Sequence, residues 1–261
     1  MAWRQKTFGG VRGFVRGDPP WLVLVHGFAG APWDWCRVLT ELGSETRVAL
    51  VELPGHGPQR RKRPSGWTEV VEGLQAWLEQ SDRAVGYSMG GRLLISALSM
   101  TEEKKSALIL GAHPGLSEDE RWARQTWDRE QASRLLDESM ETFRARWSQL
   151  PILTRVRRDT PEENARLESG RSKLRVEGLA WAMNVLGSGS MPSCLDRLLK
   201  TPHRIVWAAG DSDAKYLNLA EELHRHSSRW SYQSISESGH SCHLDNPLRV
   251  CALIRDLEQA A

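Results

Sequence analysis

The sequence predicts an α/β fold: a mostly parallel central sheet flanked by helices, with a helical cap inserted late in the chain. Three observations carry that expectation. Short, uninterrupted β-prone runs recur along the chain, among them Trp21–Val25, Val48–Leu53, Ala107–Ala112 and His203–Ala209, as strands buried on both faces require. One such run, Ala84-Val85, stops at Gly86-Tyr87-Ser88-Met89-Gly90-Gly91, and a helical run from Arg92 to Met100 follows at once. From about Ser117 to Ser190 strand signals vanish, and charged helical patterns with tryptophan take over. This divides the chain into a core, residues 1–116 and 191–261, and a cap, residues 117–190.

Taken in order, residues 1–20 are polar and glycine-rich and suit an edge strand or hairpin. Trp21–Val25 ends in His26-Gly27-Phe28-Ala29-Gly30, a loop freed by two glycines. Pro32 to Leu42 carries Trp35, Val38, Leu39 and Leu42 at helical spacing. Val48–Leu53 ends in the tight turn Pro54-Gly55-His56-Gly57, so His56 is assigned to that turn and not to a reacting base. Pro58 to Gly66 is a basic, proline-bounded loop, and Trp67 to Leu78 a helix with Ser65 as candidate N-cap. The cap is expected to hold helices over Asp119–Glu138, Met140–Gln149 and Pro161–Gly187. Beyond His203–Ala209, a helix is expected over Tyr216–His224, a strand over Trp230–Ile235 and a closing helix over Pro247–Leu257.

Composition excludes several classes. Thirty-five basic residues face 33 acidic ones, so no global field favours nucleic acid or a membrane surface. No apolar run approaches the roughly 20 residues of a membrane span, and the first residues lack a signal-peptide core. Cys36, Cys194, Cys242 and Cys251 show no paired spacing and read as reduced thiols of a cytoplasmic protein. The expected partner is a small molecule, with no stable membrane association and with the chain a monomer or small homo-oligomer; no metal or cofactor motif stands out.

Chemistry concentrates in three places. G-x-S-x-G (Gly86, Ser88, Gly90) between strand and helix is a nucleophile elbow, whose glycines clear space around a strained serine. The helix behind it aims its N-terminal N–H groups at charge developing there. Asp213 and His240 each follow a predicted strand and complete the order Ser88, Asp213, His240 of α/β-hydrolases. A histidine can take the serine proton, and a buried carboxylate fixes its tautomer. Asp211 is a rival acid, but Asp213 is preferred for its place in the turn. The backbone N–H groups of Phe28 and Met89 are the candidate oxyanion hole.

The blocks V-H-G-F-A-G (25–30), E-L-P-G-H-G (52–57), V-G-Y-S-M-G-G-R (85–92) and G-A-H-P-G-L (111–116) go further. With R-W-A-R-Q-T-W-D-R (121–129), R-A-R-W (144–147), G-D-S-D-A-K-Y (210–216) and S-G-H-S-C-H-L-D-N-P (238–247), the chain resembles the 2-succinyl-6-hydroxy-2,4-cyclohexadiene-1-carboxylate synthases. That family comprises α/β-hydrolase-fold lyases of menaquinone and phylloquinone biosynthesis. The resemblance implies a cofactor-free enzyme that takes a ring proton from its substrate and eliminates pyruvate, with Ser88, Asp213 and His240 as triad. It also implies that Arg92, Arg124 and, on looser spacing, Arg171 meet the carboxylates of a tricarboxylate substrate, with Tyr87 and Trp147 lining the site. Guanidinium matches carboxylate bidentately, which suits that assignment. Arg121 and Arg129 are expected to be solvated, and His243 to be structural or substrate-facing. Other readings stay open: a carboxylesterase, thioesterase or carbon–carbon bond hydrolase, which needs no pocket arginines, or a non-catalytic binding protein of this fold.

Overall fold

In the computed structural model, which describes residues 2–57, 63–153, 156 and 159–258, one eight-stranded sheet forms the spine. The strands are β1 (Arg4–Phe8), β2 (Val11–Arg16), β3 (Trp21–Val25), β4 (Val48–Val51), β5 (Ser81–Tyr87), β6 (Ser106–Leu110), β7 (Arg204–Gly210) and β8 (Trp230–Ile235). Their spatial order is β1-β2-β4-β3-β5-β6-β7-β8. The first two strands form an antiparallel hairpin joined antiparallel to β4, and every other pairing is parallel.

Period-two alternation sorts each central strand between two layers. Trp21, Val23 and Val25 of β3 point to one face, and Leu22 and Leu24 to the other. The first face is covered by α2 (Trp67–Leu78), α3 (Met89–Leu98), α8 (Leu195–Leu199) and α9 (Ala214–His224). The second is covered by α1 (Cys36–Leu42) and α11 (Pro247–Glu258), with the single turn α10 (Cys242–Asp245) between β8 and α11. The predicted helix from Pro32 opens as a 3-10 turn, Pro32–Trp35, before α1. All reactive loops follow the carboxyl ends of parallel strands, where open sheets meet ligands.

Between β6 and β7 the chain leaves the sheet as α4 (Glu118–Leu136), α5 (Met140–Ser148), α6 (Pro161–Arg171) and α7 (Val176–Leu186). Ala132, Leu135, Phe143, Leu174, Leu179, Ala180 and Met183 give it a small core of its own. Capping boxes start α4 at Ser117/Glu120 and α6 at Thr160/Glu163. The single helix expected over Pro161–Gly187 is broken at 172–175. There Leu174 turns into that small core, while the Arg171 carbonyl accepts from Leu174 N and Arg144 Nη2. Ser65 is not the N-cap of α2 either. Gly66 takes that position, and Ser65 donates through N and Oγ to Glu69 Oε2. Most of the basic loop expected over 58–66 lies outside the described residues.

The many tryptophans have distinct uses. Trp35, Trp77 and Trp207 are fully buried, and Trp77 also donates through Nε1 to the Val11 carbonyl at 3.0 Å, tying α2 to the hairpin. Its ring edge meets Phe8 at 4.7 Å. Trp77→Ala should cost roughly 3–5 kcal/mol, and Trp77→Phe about 1–3 kcal/mol through the orphaned carbonyl alone. Urea unfolding followed by circular dichroism measures both; equal losses would mean that the hydrogen bond, not the cavity, dominates.

Candidate active site

Ser88 sits between β5 and α3 at φ 50°, ψ −114°, a conformation that costs a non-glycine residue on the order of 1–3 kcal/mol. The neighbours enforce it. A Cβ on Gly90 would stand 2.3 Å from the His26 carbonyl oxygen, and one on Gly86 would stand 2.7 Å from Gly91 Cα. The missing side chains let α3 press onto the ends of β3 and β5 with its N-terminus under the serine. Met89 is the first residue of α3, so its N–H has no partner within the helix.

His240 bridges serine and acid. Its Nε2 lies 3.1 Å from Ser88 Oγ and its Nδ1 2.6 Å from Asp213 Oδ2. With Nδ1–H donating to the carboxylate, Nε2 is left to accept the serine O–H. Asp213 is buried, as is His240. Asp211, the rival acid, instead accepts from Glu237 N at 2.9 Å and Ser238 N at 3.1 Å, pinning the turn that leads to His240. Asp245 holds the other side by accepting from Gly239 N at 3.0 Å. The sequence reading passed over Gly111: at φ 57°, a Cβ there would lie 2.8 Å from His240 Cε1, so only glycine leaves room for the imidazole.

The loop that carries Phe28 is held by two histidines. His56 Nε2 accepts from Ala29 N at 3.0 Å, and His26 Nε2 accepts from Leu53 N at 3.1 Å, each lacing the β3 loop to the β4 loop. His26 Nδ1–H donates to the Gly27 carbonyl at 2.8 Å. His56 is therefore a staple, as its turn position indicated. Burial lowers the His26 imidazole to about 4. Burial, with His26 beside it, lowers His56 to about 3.

Two regions flank Ser88. On one side a cavity of about 430 Å³ is walled by Phe28, Tyr87, Phe143, Trp147, Arg171 and His243, among others. Trp147 meets Phe28 edge-on at 5.1 Å. The Tyr87 hydroxyl is 3.0 Å from Ser241 Oγ, and its ring is 4.3 Å from that of His243. Arg171 reaches this cavity from α6, but its Nε and Nη2 donate to Asp34 at 3.1 and 2.8 Å. Burial opposes its charge, and Asp34 more than restores it. The sequence reading did not find Asp34, because nothing in a short 3-10 turn marks an aspartate as facing a helix 137 residues away.

On the other side Arg92 is buried and donates to the Leu186 carbonyl at 3.2 Å. Arg124 lies half-exposed over the Trp127 ring at 4.3 Å, and its Nε donates to Asp128 at 2.8 Å. Asp128 also accepts from Gly189 N at 3.1 Å, so Arg92 reaches the last residue of α7 and Arg124, through Asp128, the segment just after it. Burial, offset in part by Tyr216 and reinforced by Arg124, lowers the Arg92 guanidinium to about 10, and it stays charged at neutral pH. Burial and the Arg92 charge push His113 down to about 3. Arg129 turns back onto its own helix and donates to the Gln125 carbonyl. No cluster of three or more His, Cys, Asp or Glu suited to a metal occurs among the described residues, and no helix there is long and apolar enough to cross a membrane.

The alpha/beta hydrolase family model matches residues 22–253. The 2-succinyl-6-hydroxy-2,4-cyclohexadiene-1-carboxylate synthase of Citrobacter koseri is 30% identical over 256 residues, covering 96% of each chain. The enzyme of that name from Escherichia coli (strain K12) is 28% identical, covering 91% of this chain and 93% of its own. The solved structure of MenH from S. aureus superposes with a TM-score of 0.84 at 20% identity, covering 99% and 98% of the two chains, and supports the fold. The chain belongs to the alpha/beta hydrolase family and, within it, to the 2-succinyl-6-hydroxy-2,4-cyclohexadiene-1-carboxylate synthases.

The buried histidines give this architecture a pH signature. His26, His56 and His113 are held neutral in the folded chain but titrate near 6.5 once unfolded. Their contribution is complete above pH 6.5 and is lost as pH falls from there toward 4, because unfolding then takes up protons. Between pH 7.5 and 5.5 the unfolding free energy should drop by about 1.4 kcal/mol per histidine. Urea titrations across that range check it, and His56→Gln should flatten the slope by about one proton. A pH-independent midpoint would contradict the neutral assignment.

Proposed function

We propose that the protein is a lyase acting on 2-succinyl-5-enolpyruvyl-6-hydroxy-3-cyclohexene-1-carboxylate. It removes a ring proton and eliminates pyruvate, leaving 2-succinyl-6-hydroxy-2,4-cyclohexadiene-1-carboxylate, a step of menaquinone biosynthesis. The observation that carries this is the Ser88–His240–Asp213 relay set beside the Arg92 and Arg124 pair. An ester hydrolase needs the relay but has no use for two guanidinium groups at its edge.

In this reading His240 takes the Ser88 proton, and the alkoxide removes the ring proton α to the succinyl ketone. The electron pair moves onto the ketone oxygen, where the N–H groups of Phe28 and Met89 stabilise the enolate. Collapse of the enolate forms a double bond between ring carbons 2 and 3, shifts the existing double bond to carbons 4 and 5, and breaks the bond from carbon 5 to the enolpyruvyl oxygen. Pyruvate departs as its enolate and is protonated on carbon. Ser88 is a hydroxyl again once it has taken the ring proton, and the proton held on His240 goes to the departing pyruvate enolate, so the site is reset without an acyl-enzyme. Asp213, hydrogen-bonded to Nδ1, stabilises the imidazolium while it exists. Residues 117–190 act as a cap: Arg124 and Trp147 enter the site from it, and it limits access of water. Arg171 is the third proposed carboxylate partner, and Tyr87 and Trp147 hold the ring.

Pyruvate release and diene absorbance, followed together with enzymatically generated substrate, test this. Ser88→Ala and His240→Ala should lower kcat by about 10³-fold or more. Arg124→Ala should raise KM by about 10- to 100-fold. Pyruvate no faster than the spontaneous background would overturn the lyase reading and favour an ester or thioester substrate.

A further inference from the structure

Lys215 lies in the turn that carries Asp213, at the start of α9, and nothing in the relay accounts for it. Its Nζ sits 5.7 Å from the centroid of the Tyr216 ring. That ring in turn packs 5.0 Å from the His240 imidazole. Lys215 is exposed and Tyr216 half-buried, whereas Arg92 is buried, so the ammonium stands on the solvent side of the ring. His113, two residues after the glycine that seats His240, feels Arg92, Lys215 and Arg124 together. Tyr216 feels Arg92 and Arg124 as well. The opposing carboxylates are committed: Asp128 to Arg124 and Gly189, Asp213 to His240, and Glu120 to the Ser117 cap. Lys215 thus stands against the ring that packs on the base, and the charges of Arg92 and Arg124 reach the same ring.

We propose that Lys215 is a substrate-binding residue, the third cation of a carboxylate subsite that Arg92 and Arg124 begin and Tyr216 floors. The proposal rests on the lyase reading for its substrate, but the subsite itself calls only for a polycarboxylate. Lys215 is the outer member. An incoming carboxylate meets its mobile ammonium first and then passes to the arginines, which are fixed by Leu186 and Asp128. The opposite cavity does not offer the same charge, because Asp34 already occupies two donors of Arg171.

The test uses the full chain in two measurements. Isothermal titration with citrate, a generic tricarboxylate, reads the subsite without turnover, and steady-state kinetics reads it with substrate. Lys215→Ala should weaken citrate binding and raise KM by about 5- to 10-fold, with a much smaller change in kcat. Lys215→Arg should restore both to within about twofold, and rising salt should close the gap between wild type and Lys215→Ala. Arg225→Ala, which removes an exposed charge just beyond the same helix, serves as control and should leave both unchanged. Unaltered citrate affinity and KM in Lys215→Ala, or no citrate binding by wild type, would overturn the proposal. Lys215-dependent citrate binding without pyruvate release would leave the subsite standing and remove the lyase reading.

Discussion

The contact between the start of α3 and the end of β3 is the constraint on which the site depends. Gly90 has room for nothing but hydrogen where it meets the His26 carbonyl, and that closeness holds Ser88 at a positive φ. The strain is carried by the large apolar layers on both sides of the sheet, where Leu93, Leu94, Ile95, Ala97 and Leu98 of α3 are all buried. A cost of a few kcal/mol at one residue is tolerable only where so much packing fixes the backbone around it. The return is a serine aimed away from its own strand toward an imidazole on a loop 152 residues later.

The two sides of the serine are electrostatically unlike. Around the cavity beside Tyr87 each cation has an acid: Arg171 faces Asp34, and Arg144 faces Glu168. On the Tyr216 side Arg92 is buried and, among the described residues, its hydrogen-bond partner is a carbonyl, while Asp128, whose charge it feels, is already paired with Arg124. Burying a guanidinium whose nearby carboxylate is shared with a second arginine is costly, a cost that an anionic substrate would relieve. The aromatic, charge-balanced side suits the ring of such a substrate, and the cationic side its carboxylates.

What was legible in the sequence follows the range of the interaction. The strands and the elbow could be read because apolar runs, glycines and the junction of strand with helix are local features. Asp213 and His240 could be read because each lies in a loop directly after a strand, so chain order alone predicted their meeting. Asp34, Asp128, Tyr216 and Gly111 could not. Their roles come from partners brought near by tertiary packing, and a glycine that spares room for a histidine looks like any other. The break at 172–175 was hidden for a related reason. The residues there tolerate a helix, and it is the burial of Leu174 against α5 and α7 that ends it.

Arg37 joins these regions. From α1 it donates to Asp159 at 2.5 Å and pairs with Glu163 at 2.6 Å, both at the start of α6. The same guanidinium donates to the Leu244 carbonyl in α10, four residues beyond His240. Arg171 closes the other end of α6 onto Asp34. Helix α6 is thus fastened to the core at both ends by half-buried ion pairs, one of which also touches the segment that supports the base. Such pairs add little net stability once desolvation is counted, but each strongly disfavours arrangements that leave its partner buried and alone. Their effect is on geometry: they fix the register between the helical segment and the sheet, and with it the side of Ser88 that a polycarboxylate can approach.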